Sequence, residues 1–326
     1  MSLFLVYVQV AKKENNMHYA PVQMHIPDGF LSLVVSIICW VISASVIGLA
    51  ISKTNKALGE KQIPLMGIMA AFIFAAQLIN FPVAGGTSGH LLGGALAAIM
   101  LGPWAAMLVM TAVIAVQGLL FQDGGLLVMG ANILNMGLVT AAVGYGLYRS
   151  VSTRSNGVKL GVVGVAAWLS VMTGALLTSL ELWLSGTSHL QVVIPAMLGV
   201  HALIGLGEAL ITVSALGFIL RTRPDLLGEG TESAKASRGW IWVGGLITLA
   251  VVFLSPLAST NPDGLNRVAM NLGFMSNAQS GTGPLAGYRV PFIALATPGK
   301  IVAGIIGVLV VGLIIMLIGR GMKAKA

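Results

Sequence analysis

Two histidines and one methionine define the chemistry open to this chain. Met24 and His25 begin the stretch Met24-His25-Ile26-Pro27-Asp28-Gly29-Phe30, which precedes the first long apolar run and reads like a start of translation. In a chain that begins at Met24, the α-amine, the amide nitrogen of His25 and its imidazole follow one another along one short segment. Amine and amide nitrogen close a five-membered ring on a metal ion; amide nitrogen and imidazole close a six-membered one. Three nitrogens in a plane suit Ni(II) or Cu(II), for which square-planar nitrogen sites are diagnostic. A fourth donor is needed, and His90 in Gly86-Thr87-Ser88-Gly89-His90 is the candidate. The competing reading makes His25 a surface residue beside a Pro27-Asp28-Gly29 turn. On side-chain chemistry alone, that plainer reading carries more weight.

Whatever these groups do, a membrane protein must position them. Hydrophobic residues make up 56% of the 326 and charged residues only 9%, where a soluble domain carries about a quarter. The net charge of +8 would point to nucleic acid only if the basic residues gathered on a polar domain. They fall between apolar runs instead, so the expected partner is a lipid bilayer and not nucleic acid. The single cysteine, Cys39, lies inside an apolar run. That excludes a disulfide framework and a cysteine metal cluster and makes it a packing residue.

Residues 1–23 fit this scheme badly. Leu3–Val10 is apolar but too short to span, Lys12 and Lys13 follow it, and no cleavage site closes it. A start codon chosen too far upstream, or a leader trimmed after Gln23, would each restore the amine at Met24. Nine apolar spans are then expected near 30–50, 64–80, 90–101, 104–121, 126–148, 160–184, 196–220, 239–257 and 300–319. The third is too short to cross upright and implies a tilted or half-buried segment. Alternate connecting segments hold thirteen of the eighteen Lys and Arg residues, including Lys53, Arg149, Arg154, Arg221 and Arg320. The positive-inside rule puts those segments in the cytoplasm. Met24 is therefore expected outside and the C-terminus inside, in a cell membrane crossed several times.

Polar residues at span level carry the next layer. Asp28, fixed by its turn, is a candidate to orient His25, as metal sites normally require of their surroundings. Gln77, Asn80, Ser88 and Asn132 are further candidates, and for the amides interhelical hydrogen bonding is an equal alternative. Glu181, near the outer end of its span, is read as reaching the interface. His201 and Glu208 share one helix face two turns apart, as either a packed polar pair or a transport element. Gly67, Ala71, Ala75 and Ala76 make a small-residue stripe suited to close helix packing. No phosphate-binding loop occurs, so ATP hydrolysis would come from other chains. HExxH is absent too, and no enzyme is expected.

Several blocks are long and unusual enough to carry a resemblance. Met24–Phe30, Phe72-Ile73-Phe74-Ala75-Ala76-Gln77, Asn80 through His90, Phe121-Gln122-Asp123-Gly124-Gly125 and Gly205–Leu210 resemble the CbiM/NikM family. Its members are the metal-binding membrane subunits of cobalt and nickel energy-coupling-factor transporters. Pro262-Asp263-Gly264-Leu265-Asn266 resembles the PDGLE segment of a partner module fused in some members, with Asn where the block ends in Glu. The resemblance implies an all-α membrane protein in which residues 24–220 form a seven-span metal-binding domain. Residues 221–238 are a cytoplasmic linker, and 239–326 a two-span module with a long outer loop. It implies Met24, His25 and His90 as ligands of a transported Ni(II) or Co(II), with no permanently bound cofactor. It also implies a transmembrane coupling subunit and ATP-binding subunits as partners; the small-residue stripe is then a possible docking face. Nickel is favoured over cobalt by the planar nitrogen set. A secondary transporter driven by an ion gradient stays open as the alternative.

Overall fold

The computed structural model describes residues 24–57, 62–227, 239–279, 281 and 283–323. The expected extension at 1–23 and most of the linker at 221–238 lie outside the described residues. Eleven α-helices order the rest: α1 (Leu33–Ala57), α2 (Gln62–Gln77), α3 (Gly94–Leu101), α4 (Pro103–Val116), α5 (Met129–Asn132), α6 (Thr140–Val151), α7 (Asn156–Leu184), α8 (Leu190–Thr222), α9 (Gly239–Leu254), α10 (Gly264–Leu272) and α11 (Ala296–Lys323). Among the described residues, six helical stretches are long and apolar enough to cross a membrane.

The nine apolar runs expected as spans fall on helical stretches, of which those near 64–80, 90–101 and 126–148 are not among the six long enough to cross, and three runs differ locally from a plain α-helix. The short 90–101 segment becomes an extended stretch followed by α3, only eight residues long and buried along its whole length. The span expected at 104–121 runs as α4 and then as a π-helical turn, Gln117–Phe121. The span at 126–148 is α5, a π-helical Ile133–Val139 and α6. Such π turns recur at functional sites because they widen the helix and re-aim side chains; here they sit beside the buried amides Gln117, Asn132 and Asn135.

The glycine-rich block folds as a small β-hairpin on an otherwise helical scaffold. β1 (Phe81–Val83) pairs antiparallel with β2 (Thr87–Gly89), in the register Phe81↔Gly89. Gly85 and Gly86 turn the chain at φ of 71° and 65°, values open to glycine without a Cβ penalty. At Gly89 the constraint is space, since a Cβ there would lie 2.6 Å from Ile204 of α8.

α7 and α8 form a long hairpin, and α6 packs on α7 and α3. The C-terminal helices α9 and α11 pack more against α2 than against each other, so the last module brackets a helix of the first. Gly67 explains part of this fit, because a Cβ would lie 2.8 Å from Met316 of α11. The small-residue stripe on α2 is thus internal packing at Gly67. The loop of the same module reaches the hairpin: Ser88 N donates to Pro262 O at 2.9 Å, Ser88 Oγ to Asn261 O at 2.8 Å, and the Arg267 guanidinium to Gly86 O. α10 begins immediately after, with the Asp263 carboxylate accepting from Asn266 N at 2.8 Å as its N-cap. Leu265, Val268 and Ala269 form its buried face.

Candidate metal centre

His25 and His90 come together from segments with no regular structure of their own. The Met24–Ile26 stretch is pinned from two sides. Asn132 Oδ1 accepts from Ile26 N and Asn132 Nδ2 donates to Ile26 O, both at 3.0 Å. Gly125 N also donates to Ile26 O, at 2.9 Å. Gly124 makes room for this approach: at φ 99°, a Cβ would stand 2.9 Å from the Cβ of His25. Met24 N donates to Asp123 Oδ1 at 2.6 Å.

His90 is fixed from the opposite side. Its Nδ1 lies 3.0 Å from Leu91 O. The two following amides, Leu92 N and Gly93 N, donate to the Glu208 carboxylate at 2.6 and 2.9 Å. Gln77 Nε2 donates to Leu92 O at 2.8 Å. A fully buried carboxylate on α8 and an amide on α2 thereby hold the chain immediately after His90.

The two imidazoles face one another with ring centroids 5.7 Å apart and planes inclined by 59°. His25 is 2% exposed and His90 6%. The Nδ1 of His25 lies 3.0 Å from Asp123 O, while its buried Nε2 has no hydrogen-bond partner among the described residues. They line a cavity of about 70 Å³ together with Met24, Asn132, His201 and Asp263. That volume suits an ion and a little water, not an organic substrate. Among the described residues no three His, Cys, Asp or Glu side chains are close enough to hold an ion together. A metal in this cavity would need donors other than a third such side chain, and Met24, His25 and Asn132 all border it.

The other sequence candidates are sorted by their contacts. Asn132 and Gln77 brace the main chain around the two histidines, as described. Asp28 acts one step further out, accepting from Leu126 N, Leu127 N and Val128 N at 2.9–3.2 Å, so it shapes the loop over His25. Ser88 is bound to the 261–262 segment instead of either imidazole. Asn80 lies in a second cavity, of about 270 Å³, which Met24, Asp123 and Tyr288 also line. His201 borders the metal cavity, with Nδ1 2.7 Å from Met197 O, whereas Glu208 serves the 92–93 amides. Glu181 does not reach an interface: it is 6% exposed and accepts from Asn135 Nδ2 at 2.7 Å.

Two residues carry more of this site than their sequence context signals. Asp123 receives Met24 N on one oxygen and the Tyr288 hydroxyl on the other. Asp263 comes from the PDGLN segment to the cavity wall, and burial pushes its carboxyl up to about 8. The partners of Asp123 lie 99 and 165 residues away, Asp263 reaches the cavity from the other module, and only the FQDGG and PDGLN blocks flagged their neighbourhoods.

Residues 25–226 match the family described as the cobalt uptake substrate-specific transmembrane region, CbiM. The chain belongs to the CbiM family. Residues 238–324 match the PDGLE domain. A putative fused nickel transport protein NikMN of Archaeoglobus fulgidus is 36% identical over 88% of this chain and 95% of its own length. A probable fused nickel transport protein LarMN of Lactiplantibacillus plantarum is 35% identical, over 72% of this chain and 74% of its own. A crystal structure of a truncated transition metal transporter superposes with a TM-score of 0.55 at 36% identity, covering 61% of this chain and 99% of that one. The chain is a helical integral membrane protein, a membrane component of transition-metal transport.

Proposed function

We propose that this chain captures Ni(II) or Co(II) at the outer face of the cell membrane and feeds an ATP-driven energy-coupling-factor transporter. In this reading Met24, His25 and His90 are the ligands, and the ion is cargo, not a resident cofactor. The observation that carries it is the convergence of two buried imidazoles on the Met24–His25 main chain, where no cluster of three side-chain ligands exists among the described residues. A mature chain starting at Met24 supplies the amine. The His25 amide and Nδ1 complete a tridentate set once the ring turns away from the Asp123 carbonyl, and His90 closes the square.

Binding displaces protons, from the His25 amide above all, so affinity falls in acid. Nickel is the preferred ion because a planar nitrogen set suits Ni(II). The two fused relatives named above carry the names of a putative and a probable nickel transport protein, which points the same way. Orientation follows from the basic segments between the spans, which put Met24 outside. Release requires the cage to open when a coupling subunit and ATP-binding subunits rearrange the helices, since the sequence has no phosphate-binding loop of its own.

Reconstitution tests the reading. In proteoliposomes this chain alone should bind Ni(II) yet accumulate little of it. Adding the coupling and ATP-binding subunits should give uptake that requires ATP, His25 and His90. Accumulation by this chain alone, driven by a proton or sodium gradient, would establish the secondary-transporter alternative.

A further inference from the structure

The C-terminal module reaches the candidate metal centre at two places: Asp263 lines its cavity, and Tyr288 bonds the carboxylate that holds Met24 N. Tyr288 is buried, and its hydroxyl donates to Asp123 Oδ2 at 2.6 Å, while Asp123 Oδ1 accepts from Met24 N at the same distance. One carboxylate thus joins the nitrogen expected to bind the ion to a loop some 165 residues further along. The contact is built, not incidental. Among the described residues only two non-glycine residues have positive φ, and they stand on either side of this carboxylate: Gln122 at 54°, next to Asp123 in the chain, and Tyr288 at 57°. Such conformations persist only where surrounding contacts over-determine them. Here those contacts are the stack of Tyr288 on Phe121, with centroids 4.8 Å apart, and the hydrogen bond from Leu285 N to Leu120 O at 2.9 Å. Burial and the adjacent carboxylate raise the Tyr288 pKa well above its ordinary value. The hydroxyl therefore keeps its proton and remains a donor.

We propose that Tyr288 is a positioning residue for the metal centre: its hydroxyl holds the Asp123 carboxylate in the orientation that presents Oδ1 to the Met24 nitrogen. Docking of the 285–290 loop then selects the ion-retaining arrangement, and undocking lets the Met24 nitrogen leave the ion. This rests on Met24, His25 and His90 being the ligands. The fused module is thereby a latch on the site as well as a pair of helices around α2.

The test uses the chain beginning at Met24, with its C-terminal module intact, loaded with Ni(II), and measures release to a chelator. Tyr288→Phe keeps the ring on Phe121 and removes only the hydroxyl. It should bind one ion as the parent does but release it roughly tenfold faster or more, the scale of one hydrogen bond to a charged group. In an Asp123→Ala background the same change should add nothing. Phe121→Leu, which loosens the stack but leaves the hydroxyl, should lower thermal stability more than it speeds release. An unchanged release rate in Tyr288→Phe, with binding abolished in His90→Ala, overturns the latch and leaves the ligand assignment standing. Unchanged binding in His90→Ala overturns both.

Discussion

Asn132 grips Ile26 with both ends of its side-chain amide, accepting from the main-chain nitrogen and donating to the main-chain oxygen at 3.0 Å each. A side-chain amide carries a donor and an acceptor side by side, and the residue it holds follows His25 directly. Asn132→Leu, close in volume, leaves the buried Ile26 N–H without an acceptor, while Ile26 O keeps the Gly125 amide. The unsatisfied donor costs about 1–3 kcal/mol. Ni(II) titration should show affinity lowered by roughly tenfold or more, with a lower thermal midpoint in the ion-free protein. Unaltered affinity would show that the Ile26 clamp does not position His25.

Glu208 provides a way to separate positioning from proton transfer. Its carboxylate accepts the amide protons of Leu92 and Gly93, two and three residues after His90, and is fully buried. Glu208→Gln replaces one acceptor with an NH2 group pointing at an N–H, a loss of about 1.5–3 kcal/mol for a charged hydrogen bond. The expected result is weaker Ni(II) binding together with weaker uptake. Binding at parental strength with uptake lost would assign Glu208 to a relay instead.

Asp263 gives a pH dependence with a definite sign. Burial favours its neutral form and raises its pKa from 3.8 to about 8, so the folded loop holds a proton that the unfolded chain releases. Its contribution is complete below about pH 4 and drains away as the pH rises through about 8. Amide exchange in α10, corrected for intrinsic rates, should therefore show less protection at pH 9 than at pH 6. Asp263→Asn keeps the cap oxygen and carries no charge, so it should flatten that difference. Equal pH dependence in both proteins would contradict the assignment.

The parts of this structure that were legible in the sequence are those with a local signal. Apolar runs located the long helices, and the pairing of His25 with His90 followed from ligand chemistry and the resemblance of their flanking blocks. The π turns at 117–121 and 133–139 were not legible, because hydrophobic periodicity does not distinguish a π turn from the α-helix around it. Nor was the role of Asp123, whose partners Met24 and Tyr288 lie 99 and 165 residues away. Glu181 was misjudged for the same reason: position along a span does not reveal that Asn135, 46 residues earlier, will accompany it inside. The C-terminal helices read as a hairpin because they adjoin in sequence, yet α2 is their principal neighbour.

In the proposed site a transition-metal ion sits among four nitrogens drawn from Met24, His25 and His90. X-ray absorption at the nickel edge, on the purified Ni(II)-loaded chain with its N-terminus verified by mass spectrometry, tests this most directly. The account predicts a chain beginning at Met24, a four-coordinate planar edge and a first shell made only of nitrogen, with the planar signature lost in His90→Ala. A six-coordinate, oxygen-rich shell, or a planar signal that survives in His90→Ala, would contradict it.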